Sequence, residues 1–319
     1  MCVLVRLLSL ALIAGLGALP ASAQVPASRA DDPDGTLVEE LVVTARLPGP
    51  AWWRVSDADT TVYVLGVPSI APKRMQWDRT IFERRLQGAN LVILPFVNVR
   101  AKLSGSIGAA INLLRLKSGG PFEARLDPAT RARFVAVRTR LGHDAKHYGT
   151  NNPLAAGVQL AIDYRDKSSL TNSDPAKLVR YLAQQKRVKV VEKSYDLGPQ
   201  LGGILRTPAS VGRICFDEVL AQAEAGPGVT LAAARAWAEG DVRAALDNER
   251  TYERCLAVIT GGRSYDARTK ADTAAAIATA LKTPGHAIAL VPLRPLLAQN
   301  GVLERLRALG FTVTTPGEE

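Results

Sequence analysis

Three histidines are the residues of this 319-residue chain best suited to acid–base or metal chemistry. His143 and His147 are four residues apart in the segment HDAKH, a spacing typical of zinc helices, and Asp144 stands where zinc peptidases carry glutamate. Gly142 and Gly149 flank the segment, which places it at a helix end or in a loop, where this spacing does not guarantee a shared face. We therefore predict no bound metal or cofactor. His143 and His147 are the candidates if a metal binds, and ordinary surface positions are the alternative.

Two other features have simple interpretations. His286 follows Pro284-Gly285 at the start of a predicted strand, and no Gly-x-Ser-x-Gly nucleophile pattern accompanies it, so we expect a turn or core residue. The segment SGSIG at 104–108 could bind an anion through backbone N–H groups at a helix start. It lacks the Lys-Ser/Thr of a phosphate-binding loop, and a flexible helix start is the simpler interpretation.

The cysteines predict one disulfide. The chain has three, and Cys2 lies ahead of an apolar run that is typical of a secretory signal. Export would leave Cys215 and Cys255 as a pair in an oxidising compartment, where a disulfide is favoured. Closing a loop of about 40 residues would contribute roughly 3–4 kcal/mol to stability. Two buried free thiols are the alternative.

Residues 1–23 have the pattern of a secretory signal peptide. Arg6 precedes the apolar run 7–19, and Ala21 to Ala23 supply small residues for a cleavage site before Gln24. The apolar run is shorter than the about 20 residues that span a bilayer. We predict cleavage near Ala23-Gln24, a periplasmic location and no transmembrane segment after cleavage. An uncleaved membrane anchor is the alternative.

The composition is that of a basic globular protein. Hydrophobic residues make up 47% of the chain and charged residues 22%, which argues against collagen-like and long disordered chains. The formal net charge of +10 becomes +9 when Arg6 is removed with the signal. A basic protein of the cell envelope meets anionic headgroups and polysaccharide more often than nucleic acid. We expect an anionic envelope ligand of unknown identity and no nucleic acid. A dispersed, solvated charge is the alternative, because Lys and Arg are spread along the chain.

The elements that must position these residues predict an α/β fold. Residues 24–50 are rich in proline and aspartate, which predicts a flexible leader. From residue 51 onward, β-rich runs such as 60–68 and 286–293 alternate with helix-like segments. We predict a single domain over 51–319, with a mixed central β-sheet flanked by helices.

Two of the predicted helices begin at an Asp-Pro pair. Asp127-Pro128 and Asp174-Pro175 each place a carboxylate in the capping position before a proline in the first turn. The pattern predicts helices over 127–142 and 174–187, each capped by its aspartate.

Motifs in the right order and spacing give the chain a resemblance to the TraB/GumN family, which is related to the Tiki metalloproteases. The first motif is Trp53 followed by TVYVLG at 61–66, where the family reads T-V-Y-L-L-G-T-x-H. The middle motif, A-W-x-x-G-D, is present at 236–241. The last motif aligns without gaps from Val291 to Val313. The resemblance covers about residues 51–316.

The matching positions lack the residues that the family uses for chemistry. Ser69 stands at the histidine of the first G-x-x-H motif, and Pro295 stands at the histidine of G-A-G-H. Pro95 stands where an acidic residue is expected after the second strand. Serine is a poor metal ligand and proline has no ligand atom in its side chain. The resemblance implies the fold of a metal-dependent hydrolase, while the departures predict a degenerate, non-catalytic member, a pseudoenzyme.

The family builds its site from both ends of the chain, so the resemblance implies that the first and last strand–loop junctions meet in one cleft. The expected lining residues are Ser69, Pro95, Arg268, Arg294 and Pro295. The two arginines would make the cleft cationic, so we predict that it binds an anionic peptide or glycan end. The alternatives are a peptidase-like metal-dependent hydrolase with groups relocated to His143, His147 or Ser69, and a structural envelope partner that uses the basic surface.

Overall fold

A computed structural model describes residues 32, 34–96, 98–100, 106–248 and 250–318. The predicted signal peptide lies outside the described residues, and the segment 104–108 lies partly outside them. Within the described ranges, every helix is too short or too polar to cross a bilayer.

The described residues form ten strands and thirteen α-helices. The strands are β1 Trp52–Ser56, β2 Thr60–Val67, β3 Ala71–Pro72, β4 Leu91–Ile93, β5 Asn98–Arg100, β6 Leu170–Thr171, β7 Lys189–Val191, β8 Ser194–Asp196, β9 Gly285–Pro292 and β10 Thr312–Thr314. The helices are α1 Thr80–Leu86, α2 Ser106–Lys117, α3 Pro128–Leu141, α4 Pro153–Lys167, α5 Ala176–Gln185, α6 Leu197–Arg206, α7 Ala209–Ala225, α8 Gly228–Ala238, α9 Val242–Leu246, α10 Thr251–Val258, α11 Gly262–Ala280, α12 Leu293–Leu297 and α13 Val302–Ala308.

A six-stranded mixed sheet lies at the centre of the first of two cores. Its strand order is β10-β1-β2-β9-β4-β7. β2, β9, β4 and β7 run parallel, and β1 and β10 add an antiparallel edge. The run from Ala287 to Val291 in β9 is buried at every position, as expected for a central parallel strand covered on both faces. The prediction of an α/β fold with a mixed central sheet flanked by helices is confirmed.

A second core lies among the helices that follow β4. Its centre is a cluster of aromatic rings from α3, α7 and the 3-10 turn Ala145–Tyr148, in which Phe134 contacts both Phe216 and Tyr148 edge to face. These rings are buried. The chain therefore has two cores, the sheet core and this helical core, and each can hold neighbouring side chains in fixed positions.

The predicted disulfide is present. Cys215 in α7 and Cys255 in α10 are bonded, with their Cα atoms 5.3 Å apart, which is ordinary disulfide geometry. Both residues are buried in the helical core. The bond therefore ties α10, which carries residues of the site described below, to the helical core.

We expect that replacing both cysteines by alanine lowers the free energy of unfolding by about 3 kcal/mol. The physical reason is that the open chain regains the loop entropy that a closure of 40 residues removes. Urea unfolding of the oxidised protein and of the Cys215→Ala/Cys255→Ala variant measures the difference. Equal unfolding midpoints would contradict a stabilising role for the bond.

Of the two predicted Asp-Pro helix starts, one is confirmed in detail and the other is wrong in its capping. Asp127 accepts the backbone N–H of Thr130, and Gly142 ends α3 in the left-handed conformation at φ 90°. α5 is present, but Asp174 does not cap it, because its carboxylate accepts the backbone N–H of Arg74 at 2.8 Å. A contact with a distant loop thus replaces the local cap.

Candidate functional site

One edge of the central sheet gathers four of the five predicted cleft residues. β2, β9 and β4 are neighbouring parallel strands, so their carboxyl ends lie at the same edge. Ser69 follows β2, Pro95 follows β4, and Arg294 and Pro295 lie in α12, directly after β9. In open α/β sheets, ligands bind in the crevice outside the carboxyl ends of the strands. This edge is therefore the candidate site.

The three sequence motifs converge behind this edge. The Trp237 side chain, from the middle motif, donates a hydrogen bond to the carbonyl oxygen of Gly66 at 2.5 Å. A β-carbon at Gly66 would lie 2.5 Å from Leu293 Cδ2 and 2.8 Å from Trp53 Cζ3. Glycine is needed at position 66 because the side chains of Leu293 and Trp53 pack directly against its backbone and leave no room for a β-carbon. Contacts among the three motifs thus fix the positions of the strand ends at this edge.

Ser69 meets a buried acid at this edge. Its hydroxyl lies close enough to the carboxyl group of Glu253, in α10, to lower the pKa of that group. Burial raises the pKa of the Glu253 carboxyl, against the opposing charge of Arg250. The Glu253 Oε2 atom is buried and has no hydrogen-bond partner among the described residues. No motif in the sequence pointed to Glu253, which the disulfide-bonded helix positions.

Seven charged side chains form what we call the charge cluster: Asp32, Asp34, Arg250, Glu253, Asp266, Lys270 and Arg294. Asp32 accepts two hydrogen bonds from the guanidinium of Arg250, and the Nε···Oδ2 distance is 2.6 Å. Lys270 Nζ lies 2.5 Å from Asp34 Oδ1 and 2.7 Å from Asp266 Oδ2. The Asp34 and Lys270 side chains are each only 5% exposed. Two aspartates of the predicted leader thus lie buried against cations of the domain.

Arg294 joins the same cluster. It donates to the carbonyl oxygen of Leu246 at 2.5 Å and to that of Asp34 at 3.4 Å. Burial and the nearby charge of Arg250 lower the pKa of the Arg294 guanidinium. Arg294 thus lies in the charge cluster, and its hydrogen-bond partners are backbone carbonyl oxygens of the chain itself.

Burial and neighbouring charges shift the pKa values of the cluster in opposite directions, and which effect is larger differs from group to group. Burial disfavours the charged form of Asp32, but the hydrogen bonds and charge of Arg250 outweigh it and lower the Asp32 pKa. Burial would lower the pKa of Lys270, but Asp34 and Asp266 raise it. The cluster holds four carboxyl groups and three cations. Burial raises the pKa of Asp34, against the charge of Lys270, and it raises the pKa of Glu253, so these two carboxyl groups are the ones best placed to carry a proton.

We expect Glu253→Gln to raise the free energy of unfolding at pH 7 by about 1–3 kcal/mol, because a buried carboxylate with an unpartnered oxygen is costly. The folded-state pKa is raised, so the cost is absent below pH 4.5, where the unfolded carboxyl is protonated as well, and it grows as the pH rises. Unfolding at pH 4 and pH 7 tests this. Glu192→Gln, at an exposed ion pair with Arg180, is the control. A gain that is the same at both pH values would contradict the assignment.

Arg268 lies apart from the cluster. Its side chain is 69% exposed and approaches the Asp272 carboxylate at 3.9 Å and the Tyr195 ring at 5.7 Å. Lys270, two residues further along α11, enters the cluster instead. Residues two apart on a helix point in different directions, so only one of the two can face the edge. Sequence reasoning missed Lys270 and Arg250.

The predicted leader continues along the same edge. Leu37 pairs with Ala298, directly after α12, and the backbone N–H of Gln299 donates to the carbonyl oxygen of Thr36 at 3.0 Å. Further on, Leu41 is buried and accepts a hydrogen bond from the Trp53 indole. The leader is thus fixed by backbone pairing beside the last motif, and this pairing delivers Asp32 and Asp34 to the cluster.

The residues at this edge do not fit the metal centre that the family implies. Carboxyl groups of the charge cluster are potential oxygen ligands, but its two leader aspartates already pair with cations of the same cluster. The positions of the expected histidines and acid are a serine and the prolines 95 and 295. The guanidinium groups of Arg250 and Arg294 supply positive charge beside Glu253. A divalent cation needs imidazole or carboxylate donors and gains nothing from neighbouring cations.

The histidines lie elsewhere. His143 and His147 are beside the helical core. His286 is at the beginning of β9, the opposite end of the strand from Arg294, and its Nε2 lies 2.8 Å from the carbonyl oxygen of Arg85. A strand of eight residues spans about 25 Å, so His286 cannot join the chemistry of the cleft.

A family model described as the TraB/PrgY/gumN family matches residues 51–315, which include all ten strands and most of both cores. Searches of curated proteins and of solved structures gave no significant match. The family match covers most of the chain and confirms the resemblance seen in the motifs. The chain therefore belongs to the TraB/PrgY/gumN family.

Proposed function

We propose that this chain is a periplasmic, non-catalytic member of its family, and that its cleft binds an anionic ligand, in the form of an acidic peptide segment. The observation that carries the proposal is the seating of Asp32 and Asp34 against Arg250 and Lys270. The contacts of the leader support an acidic ligand for this edge.

The loss of catalysis is argued from the donor set. Ser69 and Pro295 replace the two histidines that the family would place at this edge, and the guanidinium groups of Arg250 and Arg294 lie near Glu253. The guanidinium groups can pair with a carboxylate, and the serine and proline at the two histidine positions supply no imidazole that would hold a metal for activating water. Binding without hydrolysis is the function that these residues support best.

The charge balance favours an acidic ligand. Without Asp32 and Asp34, the three cations of the cluster would face Asp266 and the protonation-prone Glu253, an excess of buried positive charge. An acidic peptide restores the balance, and when it displaces the leader it can pair with the backbone at 298–299 as the leader does. An anionic glycan supplies the charge alone, which is why we favour the peptide.

The binding test uses the chain from Gln24 onward with Asp32→Asn/Asp34→Asn, and a synthetic peptide of residues 29–37 as the ligand. We expect this variant to have a lowered Tm that the peptide raises in a dose-dependent way. The unaltered chain should respond at least tenfold more weakly, because its tethered leader competes at millimolar effective concentration.

The matched control is Glu39→Gln/Glu40→Gln. These two leader acids form exposed ion pairs with Arg243 and Arg307, outside the cluster. We expect the control to have the Tm of the unaltered chain and to show no greater rise in Tm with the peptide than the unaltered chain does. Failure of the peptide to raise the Tm of the Asp32→Asn/Asp34→Asn variant would contradict the proposal. A uronate oligosaccharide that succeeds where the peptide fails would replace it with a glycan ligand.

A surviving hydrolase is the second candidate, and one contact favours it. The Ser69 hydroxyl lies near the Glu253 carboxyl group, and a carboxylate can accept a proton from a hydroxyl. Peptide cleavage by the Asp32→Asn/Asp34→Asn variant that disappears on Ser69→Ala would establish this activity. We expect no cleavage in either protein.

A further inference from the structure

His143 and His147 are brought face to face by the turn between α3 and α4. Asp144 caps the 3-10 turn Ala145–Tyr148 by accepting the backbone N–H of His147 at 3.0 Å. The guanidinium of Arg138 donates to the carbonyl oxygen of His143. The two imidazole rings lie parallel, 3.8 Å between centroids and 9° between planes. The two histidines are therefore brought together by a capped turn and not by sharing one face of a helix.

A buried carboxylate completes the group. Asp163 in α4 lies with Oδ2 2.8 Å from His147 Nε2 and Oδ1 3.7 Å from His143 Nε2. One potential ligand atom from each of the three residues lies within 4.8 Å of the others. We propose that His143, His147 and Asp163 bind a divalent transition-metal ion, with zinc as the ion that the donors suit best.

The donor set supports this assignment. Two neutral imidazoles and one carboxylate are a set that binds zinc and its first-row neighbours, and three protein ligands leave a position open for water. The Asp163 side chain is 7% exposed, while those of His143 and His147 are 30% and 33% exposed. The ion can therefore enter from solvent on the histidine side and meet a carboxylate held at the base.

Neighbouring groups hold the carboxylate in place. The Tyr148 hydroxyl donates to Asp163 Oδ2 at 2.6 Å, and the Gln159 amide donates to Asp163 Oδ1 at 2.9 Å. Outer contacts of this kind orient metal ligands. The Gln159 amide nitrogen also lies 3.2 Å from His147 Nε2, so metal binding requires that contact to open.

Other charges near the site leave it accessible to a cation. Arg138 is the positive group that faces it from α3, and Glu123 neutralises that charge through a paired contact with an Nε···Oε2 distance of 2.5 Å. Asp144, on the turn itself, adds negative charge at the exposed rim. Lys146, also on the turn, offsets Asp144, so the buried carboxylate of Asp163 is the charge that favours a cation.

The test is a calorimetric titration of the chelator-treated chain, without an affinity tag, with Zn²⁺. We expect one equivalent bound with a micromolar or lower Kd, and at least a tenfold weakening in His147→Gln and in Asp163→Asn. Co²⁺ as a second probe should show visible absorption bands of the bound ion in the unaltered chain and lose them in both variants.

Two controls carry the same residue types outside the site. Asp166→Asn changes the next exposed aspartate of α4, which pairs with Lys73, and His286→Gln changes the remaining histidine. Both should bind zinc as the unaltered chain does. His143→Gln provides a second ligand variant on the exposed side, in case Asp163→Asn fails to fold.

Three results would overturn the site. They are no stoichiometric zinc binding, binding that survives His143→Gln and His147→Gln, and equal weakening by His286→Gln. The cluster would then be a hydrogen-bonded histidine–aspartate group only. The cleft variants Asp32→Asn/Asp34→Asn should leave zinc binding unchanged, so this test is independent of the proposed function.

Discussion

Lys270→Met should lower the free energy of unfolding by about 3–5 kcal/mol. The Lys270 ammonium group is buried between Asp34 and Asp266, and its removal leaves both carboxylates without their shared cation. Breaking a buried ion pair from one side is costly because the remaining charge has lost water and gained no partner. Urea unfolding at pH 7 measures the loss.

The control for this prediction is Lys73→Met. Lys73 forms an ion pair with Asp166 at 3.5 Å, but both side chains are exposed, so we expect a change of about 0.5 kcal/mol or less. Combining Lys270→Met with Asp34→Asn should cost less than the sum of the two single changes, since each removes the other's unpaired charge. A loss no larger than that of Lys73→Met would contradict the buried pairing.

Gly66→Ala should lower the free energy of unfolding by about 3 kcal/mol, the upper end of the overpacking range. The added methyl would lie 2.5 Å from Leu293 and 2.8 Å from Trp53, so α12 or the strand must shift. The carbonyl oxygen of Gly66 also receives the Trp237 indole hydrogen bond, and a shift there disturbs the convergence of the three motifs.

Gly108→Ala is the matched control for Gly66→Ala. Gly108 lies in α2, and a β-carbon there would meet nothing within 4 Å. Alanine is a better helix former than glycine, so we expect a gain of about 0.5–1 kcal/mol. Thermal unfolding of both variants gives the comparison. A Gly66→Ala protein as stable as the unaltered chain would show that the first and last motifs have room to separate.

Much of the fold could be predicted from the sequence because local patterns specify it. β2 and β9 are apolar runs in which most residues are buried, and strands of this kind pair in parallel sheets. Once these strands are adjacent, the junctions after them must share an edge, which is why Ser69 and Arg294 are brought to one side. The disulfide followed from cysteine counting and compartment chemistry.

The side-chain partners at the site could not be predicted in this way. Asp32 and Arg250 are 218 residues apart, and neither belongs to a motif. The choice between Arg268 and Lys270 depends on the rotation of α11, which a helix with no clear apolar stripe does not reveal in its sequence. Asp163 is likewise joined to His147 only by the packing of α4 against the turn.

The measurement that tests the central claim most directly follows both binding and cleavage in one reaction. The Asp32→Asn/Asp34→Asn chain is mixed with a labelled peptide of residues 29–37, and the bound fraction and the peptide mass are recorded over time. We predict a saturable bound fraction, lost on Lys270→Met, with the peptide intact at every time point. An unbound peptide, or a bound peptide cleaved in a reaction that Ser69→Ala abolishes, would contradict the assignment of a binding cleft without hydrolysis.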